Sequence, residues 1–223
     1  MYGMKVVWCG SVLLLMLGAG SCARTQARRG GEDLLATGLV GWQQVEGEHG
    51  SWKFEDGVLY TDGRGRGWLA TIREYDDFRL YLEFRIGPEG NSGVFVRAPQ
   101  EGDPAYEGME IQILDDHADA YGALRPDQYT GSIYGVQAPA ERASKEADQW
   151  QKMVIACCGP RVKVVLNGEA VIDTSTEFYP YMYDTHPGLN RRGGYIGLQH
   201  HDGRVEFRNV KVWPLPDGAC AAL

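Results

Sequence analysis

Residues Tyr106–Leu114 read YEGMEIQIL, and the second half of that stretch decides the fold. In Glu110-Ile111-Gln112-Ile113 polar and apolar residues alternate. A β-strand turns successive side chains to opposite faces, so Glu110 and Gln112 share one face and Ile111 and Ile113 the other. The segments around it are built alike. In Arg79–Arg85, Glu83 and Arg85 oppose Leu82 and Phe84; in Val94–Arg97, Arg97 falls beside Phe95 and opposite the valines. Near the C-terminus Gln199 and His201 oppose Leu198 and His200. Several strands thus pair an apolar face with one of carboxylates, guanidinium groups, amides and imidazole. A merely solvated face is richer in Lys, Thr and Ser; these groups bind sugars and move protons.

The rest of the chain is short strands and turns. Strands are expected at Trp52–Phe54, Val58–Tyr60, Trp68–Thr71, Phe78–Ile86, Gly93–Arg97, Met109–Leu114 and Gly131–Tyr134. Further strands are expected at Gln151–Cys157, Arg161–Leu166, Glu169–Ile172, Tyr195–Gln199 and Val205–Val212. Asn167-Gly168 between two apolar runs is a strong hairpin signal. No long stretch keeps a helical period; Asp33–Leu39 is expected to form a short turn and Glu141–Gln149 a helical one. Many evenly spaced strands imply an all-β fold, a jelly-roll sandwich of two antiparallel sheets. Two long loops, Asp115–Thr130 and Thr174–Gly194, carry aromatic and ionisable residues and are expected to be functional.

Lys5, an apolar run from Val6 to Leu17, then Gly18-Ala19-Gly20-Ser21-Cys22 resemble a bacterial lipoprotein signal. Cys22 would then be lipidated and anchor the chain to the cell envelope, at the periplasm or on the outer membrane. Ordinary secretion and an uncleaved anchor are the other readings, and each places the domain outside the cytoplasm. The organisation expected is a signal peptide over 1–21, a tether over 22–36, the jelly-roll catalytic domain over 37–215 and a tail over 216–223. Removal of the first 21 of 223 residues leaves 202, enough for one β-sandwich with a real core. The formal charge of −8 lacks the footprint of a nucleic-acid binder. Five cysteines show neither zinc-site spacing nor a disulfide framework. A bond from Cys220 to Cys157 or Cys158 is one option; small buried hydrophobes with a tail thiol are the other.

Glu110-x-Gln112-x-x-Asp115 resembles the Glu-x-Asp-x-x-Glu strand of laminarinase-type glycoside hydrolases, with Gln112 in place of the central carboxylate. Ordinary double displacement needs two carboxylates flanking the scissile bond, so that chemistry is not expected here. Asp115 falls on the wrong face unless a bulge re-aims it. Arg97 and Arg85 present rigid donor forks for hydroxyls or a developing oxyanion. Their other reading is a salt-bridge ladder with Glu83 and Glu110. His201 is the best acid or base by residue type, its ordinary pKa lying near neutrality. Gln112, Gln199, Arg85, Glu83 and Asp115 are expected to bind substrate, with Trp68, Tyr134 and Phe95 stacking on sugar rings. Gly197 is expected to leave room for a ligand against the sheet.

Five stretches together are specific: NSGVFVR (91–97), YEGMEIQILDD (106–116), TGSIYGV (130–136), VVLNGEAVID (164–173) and GYIGLQHHDGRVEFRNVKV (194–212). The chain, from about Gly41 to Val212, resembles the 3-keto-disaccharide hydrolase family. The resemblance implies a concanavalin-like jelly roll. It also implies cleavage of glycosides that a separate sugar 3-dehydrogenase has first oxidised at C3. Where the family reads Leu-Gln-Asp-His-Gly, this chain has Leu198-Gln199-His200-His201-Asp202-Gly203. His201 takes the histidine's place, His200 replaces the aspartate and Asp202 is inserted.

Such a reaction needs a base, an acid for the leaving oxygen and a group for the enolate. Glu110 and His201 fit the first two and Arg97 the third. A divalent metal would serve the third equally, with Asp115, Asp116, His117 and Glu110 as ligands, although their spacing is not diagnostic. The alternative is a non-catalytic carbohydrate-binding module on the same fold. The acid–base reading expects Arg97, Glu110, Gln112 and His201 to converge in one hollow on one side of one sheet.

Overall fold

The structure, a computed structural model, describes residues 31–61, 63, 65–216 and 220, together with Met1. The expected signal peptide, Cys22 and most of the tether lie outside those residues. Among the described residues thirteen strands form two antiparallel sheets. The smaller sheet runs β2 (Trp42–Glu46), β5 (Gly67–Thr71), β12 (Tyr195–His200), β7 (Asn91–Ala98), β8 (Met109–Leu114). The larger runs β11 (Glu169–Ser175), β10 (Arg161–Leu166), β9 (Gln151–Cys158), β6 (Phe78–Ile86), β13 (Val205–Pro214), β4 (Val58–Thr61), β3 (Trp52–Glu55), with β1 (Glu32–Asp33) paired to β13.

The alternation read from the sequence builds the core. Val94, Val96, Ile111, Ile113 and Leu198 of the smaller sheet pack against Leu80, Leu82, Phe84, Met153 and Ile155 of the larger, all buried. The other face of the smaller sheet carries a separate apolar cluster of Trp68, Ala70, Phe95, Ala98 and Ala105. Asn167 and Gly168, with φ of 54° and 102°, turn β10 into β11, as that dipeptide requires of a primed hairpin turn.

Several expectations are corrected. The fold begins before residue 37: Glu32 and Asp33 pair with Val212 and Lys211, and Leu34 and Leu35 are buried. Gly131–Tyr134 is not a strand but hydrogen-bonds to β8 through one bridge, Ile111 to Ile133. Glu141–Gln149 forms no helical turn, whereas a short helix, α1, forms at Pro104–Glu107. Asp103 caps it by accepting from Ala105 N at 3.0 Å, and Pro104 supplies a preset φ at the first position. Of the two readings of the cysteines the disulfide is the one found: Cys158 and Cys220 are bonded, which ties the tail to β9.

Candidate active site

The outer face of the smaller sheet forms the floor of a cavity of about 710 Å³. Strand register decides what stands there. Gly197 pairs with Ala70 and Phe95, and Phe95 with Glu110, forming one row across the sheet. In the next row Gln199 pairs with Trp68 and Gly93 with Gln112. Tyr134 N donates to Glu110 O at 2.9 Å, which extends the first row into the loop after β8. Glu110, Gln112, Gln199, His201, Trp68 and Tyr134 all line the cavity. Six of the ten site residues expected from sequence therefore converge.

Glu110 is the centre. It is 4% exposed, and a Cβ on its neighbour Gly93 would overlap the Glu110 carboxylate. Gly93 is thus the vacancy in the sheet that lets the carboxylate lie down beside Gln112. Amide orientation is assigned from the hydrogen-bond network. With its nitrogen toward Glu110, Gln112 donates to Ser92 O at 2.9 Å and Glu110 Oε1 at 3.1 Å. The reverse orientation offers only a 3.5 Å contact to Asn91 Oδ1. Burial and the Asp103 carboxylate push the Glu110 carboxyl up to about 8, against a hydrogen bond from Gln199 that favours the ionised form. Gln199 Oε1 is buried and has no donor among the described residues.

His201 Nδ1 lies 2.5 Å from Asp202 Oδ2, close enough for a charge pair though off the angle that a hydrogen bond prefers. His200 turns the other way, as expected: its Nε2 is 2.9 Å from Thr61 Oγ1 and its ring meets Trp52 edge-on at 5.9 Å. The Tyr134 phenol accepts from Gln128 Nε2 at 3.1 Å. Trp68 and Phe95, each 2% exposed, meet edge-to-face at 5.4 Å. They form the packed floor rather than free stacking faces. The space left by Gly197 is filled by Trp68, not held open for a ligand.

Relatives share this architecture. A solved structure from Parabacteroides distasonis, provisionally described as a glycosyl hydrolase, superposes with a TM-score of 0.73 at 28% identity, covering 82% of this chain and 98% of that one. A 3-keto-disaccharide hydrolase of Bacteroides thetaiotaomicron is 24% identical over 200 residues, 72% of this chain and 69% of the relative. The carbohydrate-binding module CBM66 from Bacillus subtilis shares the fold alone, with a TM-score of 0.52 at 18% identity over 77% of this chain and 94% of that module. The sequence profile of the 3-keto-alpha-glucoside-1,2-lyase-like domain matches residues 32–213. The chain belongs to that family.

As a 3-keto-alpha-glucoside-1,2-lyase-like domain it departs from the sequence expectations at four site positions. Arg97 is not in the cavity. A bulge opposite Tyr195–Gly197 puts Arg97 at φ 53°, so its side chain leaves the alternation of β7. It is wholly buried and pairs with Asp77 at 3.0 Å. It also donates to the carbonyls of Asp76, Gly159 and Arg191. Glu83 and Arg85 lie on the outer face of the other sheet. There the ladder has different partners: Arg208 reaches Glu83 at 2.7 Å, and Arg85 reaches Glu206. Both guanidinium groups stack on Trp150. Asp115 follows the end of β8 and accepts from Glu89 N and His117 N, holding the loop.

The four residues named as metal ligands do not converge. Asp116 is taken up by Thr130 and Ser144, and His117 lies near Ser144 O. Among the described residues only Asp77, Cys158 and Cys220 bring three such ligand atoms within 4.8 Å of one another, and their two sulfurs are joined. Sequence reasoning also missed contributors to the cavity: Gly93, Asp103, Tyr106 and Gln128. A glycine inside a strand signals close approach, and Asp103-Pro104 is a helix start. Tyr106 packs on His186 of the second long loop, ring centroids 5.0 Å apart, which braces the α1 wall.

Proposed function

We propose that this domain cleaves 3-keto-glucosides by acid–base chemistry, through β-elimination of the aglycone and hydration of the product, a net hydrolysis. The observation that carries this reading is Glu110: a buried carboxyl with its pKa raised to about 8, in the same cavity as His201. A base works best when its pKa lies near the operating pH, because it is then both available and strong. A ketone at C3 acidifies the proton on C2. Glu110 removes that proton, and His201, with Asp202 beside Nδ1, delivers one from Nε2 to the leaving oxygen. Water then adds to the 2-hydroxy-3-keto-glucal. Gln112 stands where a double-displacement strand would carry a carboxylate, and this route does not need one.

The substrate must come from an oxidising enzyme, a separate sugar 3-dehydrogenase. The cavity's acidic and amide lining suits a neutral sugar, and no role for nucleic acid follows from it. We place the protein at the cell envelope, anchored by lipid on Cys22; the Cys158–Cys220 disulfide fits an oxidising compartment.

The second reading, a carbohydrate-binding module, draws on the fold shared with CBM66. Incubation with a 3-keto-glucoside and with its unoxidised parent separates the two. Aglycone is expected from the 3-keto sugar alone, with turnover lost in Glu110→Gln and reduced in His201→Ala. Sugar binding without release from either would establish the module instead.

A further inference from the structure

With Arg97 committed elsewhere, the cavity needs another group for the charge that develops on O3. We propose that the Tyr134 phenol is that group, a further catalytic residue that donates a hydrogen bond to the enolate oxygen. This rests on the acid–base reading above.

The geometry begins in the backbone. Tyr134 N donates to Glu110 O, and Ile133 bridges Ile111. Tyr134 and Glu110 are therefore cross-strand neighbours on one face, with Cβ atoms about 5 Å apart. Both residues line the one cavity, so a single sugar ring there can meet the base at C2 and the donor at O3. The phenol is also held in one state. Gln128 Oε1 accepts from Arg125 N at 3.1 Å, which fixes the amide so that Nε2 points to Tyr134. Nε2 donates to the phenolic oxygen at 3.1 Å. That oxygen is used as an acceptor, and among the described residues no hydrogen bond uses its own proton. A hydrogen bond accepted at the oxygen polarises the O–H and strengthens it as a donor. Backbone contacts hold the arrangement: Gln112 N donates to Ser132 O and Gly131 N to Gln112 O. A donor fixed before the reaction stabilises charge without reorganising.

The electron flow balances. The Glu110 carboxylate takes the C2 proton, the C–H pair forms C2=C3, and the carbonyl pair moves to O3 against the Tyr134 O–H. The pair then returns from O3 to restore C3=O, the C2=C3 pair shifts to form C1=C2, and the C1–O bond breaks. The leaving oxygen collects a proton from His201. Tyr134 keeps its proton throughout. Hydration passes through the same enolate in reverse, so one phenol serves both steps.

The probe is 1,5-anhydro-3-keto-glucitol, a 3-keto sugar with no leaving group at C1. In deuterated water the wild-type protein should exchange its C2 proton, followed by NMR. Tyr134→Phe, which keeps the ring, should slow exchange about 100-fold or more, the usual loss of one oxyanion donor. Gln128→Leu leaves the phenol in place and should slow exchange less. Wild-type exchange with an equal rate in Tyr134→Phe overturns the role of Tyr134 and leaves the function standing. Equal slowing in both variants assigns the effect to the loop and also overturns it. Absence of exchange in the wild type removes the functional reading, and this inference with it.

Discussion

Gly93 and Glu110 occupy the same space: the carboxylate of Glu110 fills the position that a Cβ on Gly93 would take. The vacancy arises because Gly93 pairs with Gln112, one row from the Phe95–Glu110 pair. A missing side chain in β7 thus sets the direction of a present one in β8. Gly93→Ala should push Glu110 out of its place between Gln112 and Gln199. Extended backbone tolerates alanine here, so the protein should still fold. The kcat on a 3-keto-glucoside should fall about 10-fold or more, as displacement of a reacting group by a fraction of an ångström predicts. Unchanged kcat would mean that the carboxylate's position does not matter.

Glu110 also leaves a mark on stability. Its folded value of about 8 lies above the ordinary 4.5, so between those values the native state binds the proton more tightly than the unfolded chain does. Stability from this group is full below the lower value and is lost as pH rises through the higher. The Tm of the wild type should therefore drop, relative to Glu110→Gln, as pH rises from about 5 to about 9. A pH-independent difference between the two would contradict a raised carboxyl. The same group acting as a base predicts kcat/KM rising through an apparent pKa near 8.

Arg97 should matter for folding and not for chemistry. Its wholly buried guanidinium satisfies Asp77 and three carbonyls. Arg97→Met strands those acceptors and should cost about 3 kcal/mol in denaturant titration. Turnover per folded molecule should stay at the wild-type level. Activity lost without any loss of stability would return Arg97 to the reaction.

The Cys158–Cys220 bond closes a loop with a sequence separation of 62. Constraining the unfolded chain over such a loop contributes about 2–4 kcal/mol. Cys220→Ser should lower Tm correspondingly, and a reductant should do the same to the wild type but not to the variant. Identical melting with and without reductant would show the bond to be absent or without effect.

Much of this was legible along the chain. Glu110, Gln112 and Gln199 were recognisable because a strand's period of two assigns them to one face whatever the strand packs on. His201 followed from the same reasoning; Tyr134 was marked only as an aromatic able to stack on a sugar ring. Arg97 misled because the bulge in β7 resets the period at that residue, and nothing in Val94–Arg97 marks it. Glu83 and Arg85 misled for a different reason. They alternate as cleanly as Glu110 and Gln112, but their polar face looks out from the other sheet.

The order of residues alone settled that this chain makes antiparallel strands with one apolar side each, because alternation and turn chemistry act over a few neighbours. It could not settle which polar faces look into a common hollow. That depends on which sheet each strand joins, on the register between strands far apart in sequence, and on where a bulge breaks the count. Those are long-range pairings chosen by the packing of the whole core. Only the folded molecule therefore brought Gly93, Glu110, Gln199 and Tyr134 together and sent Arg97 to Asp77.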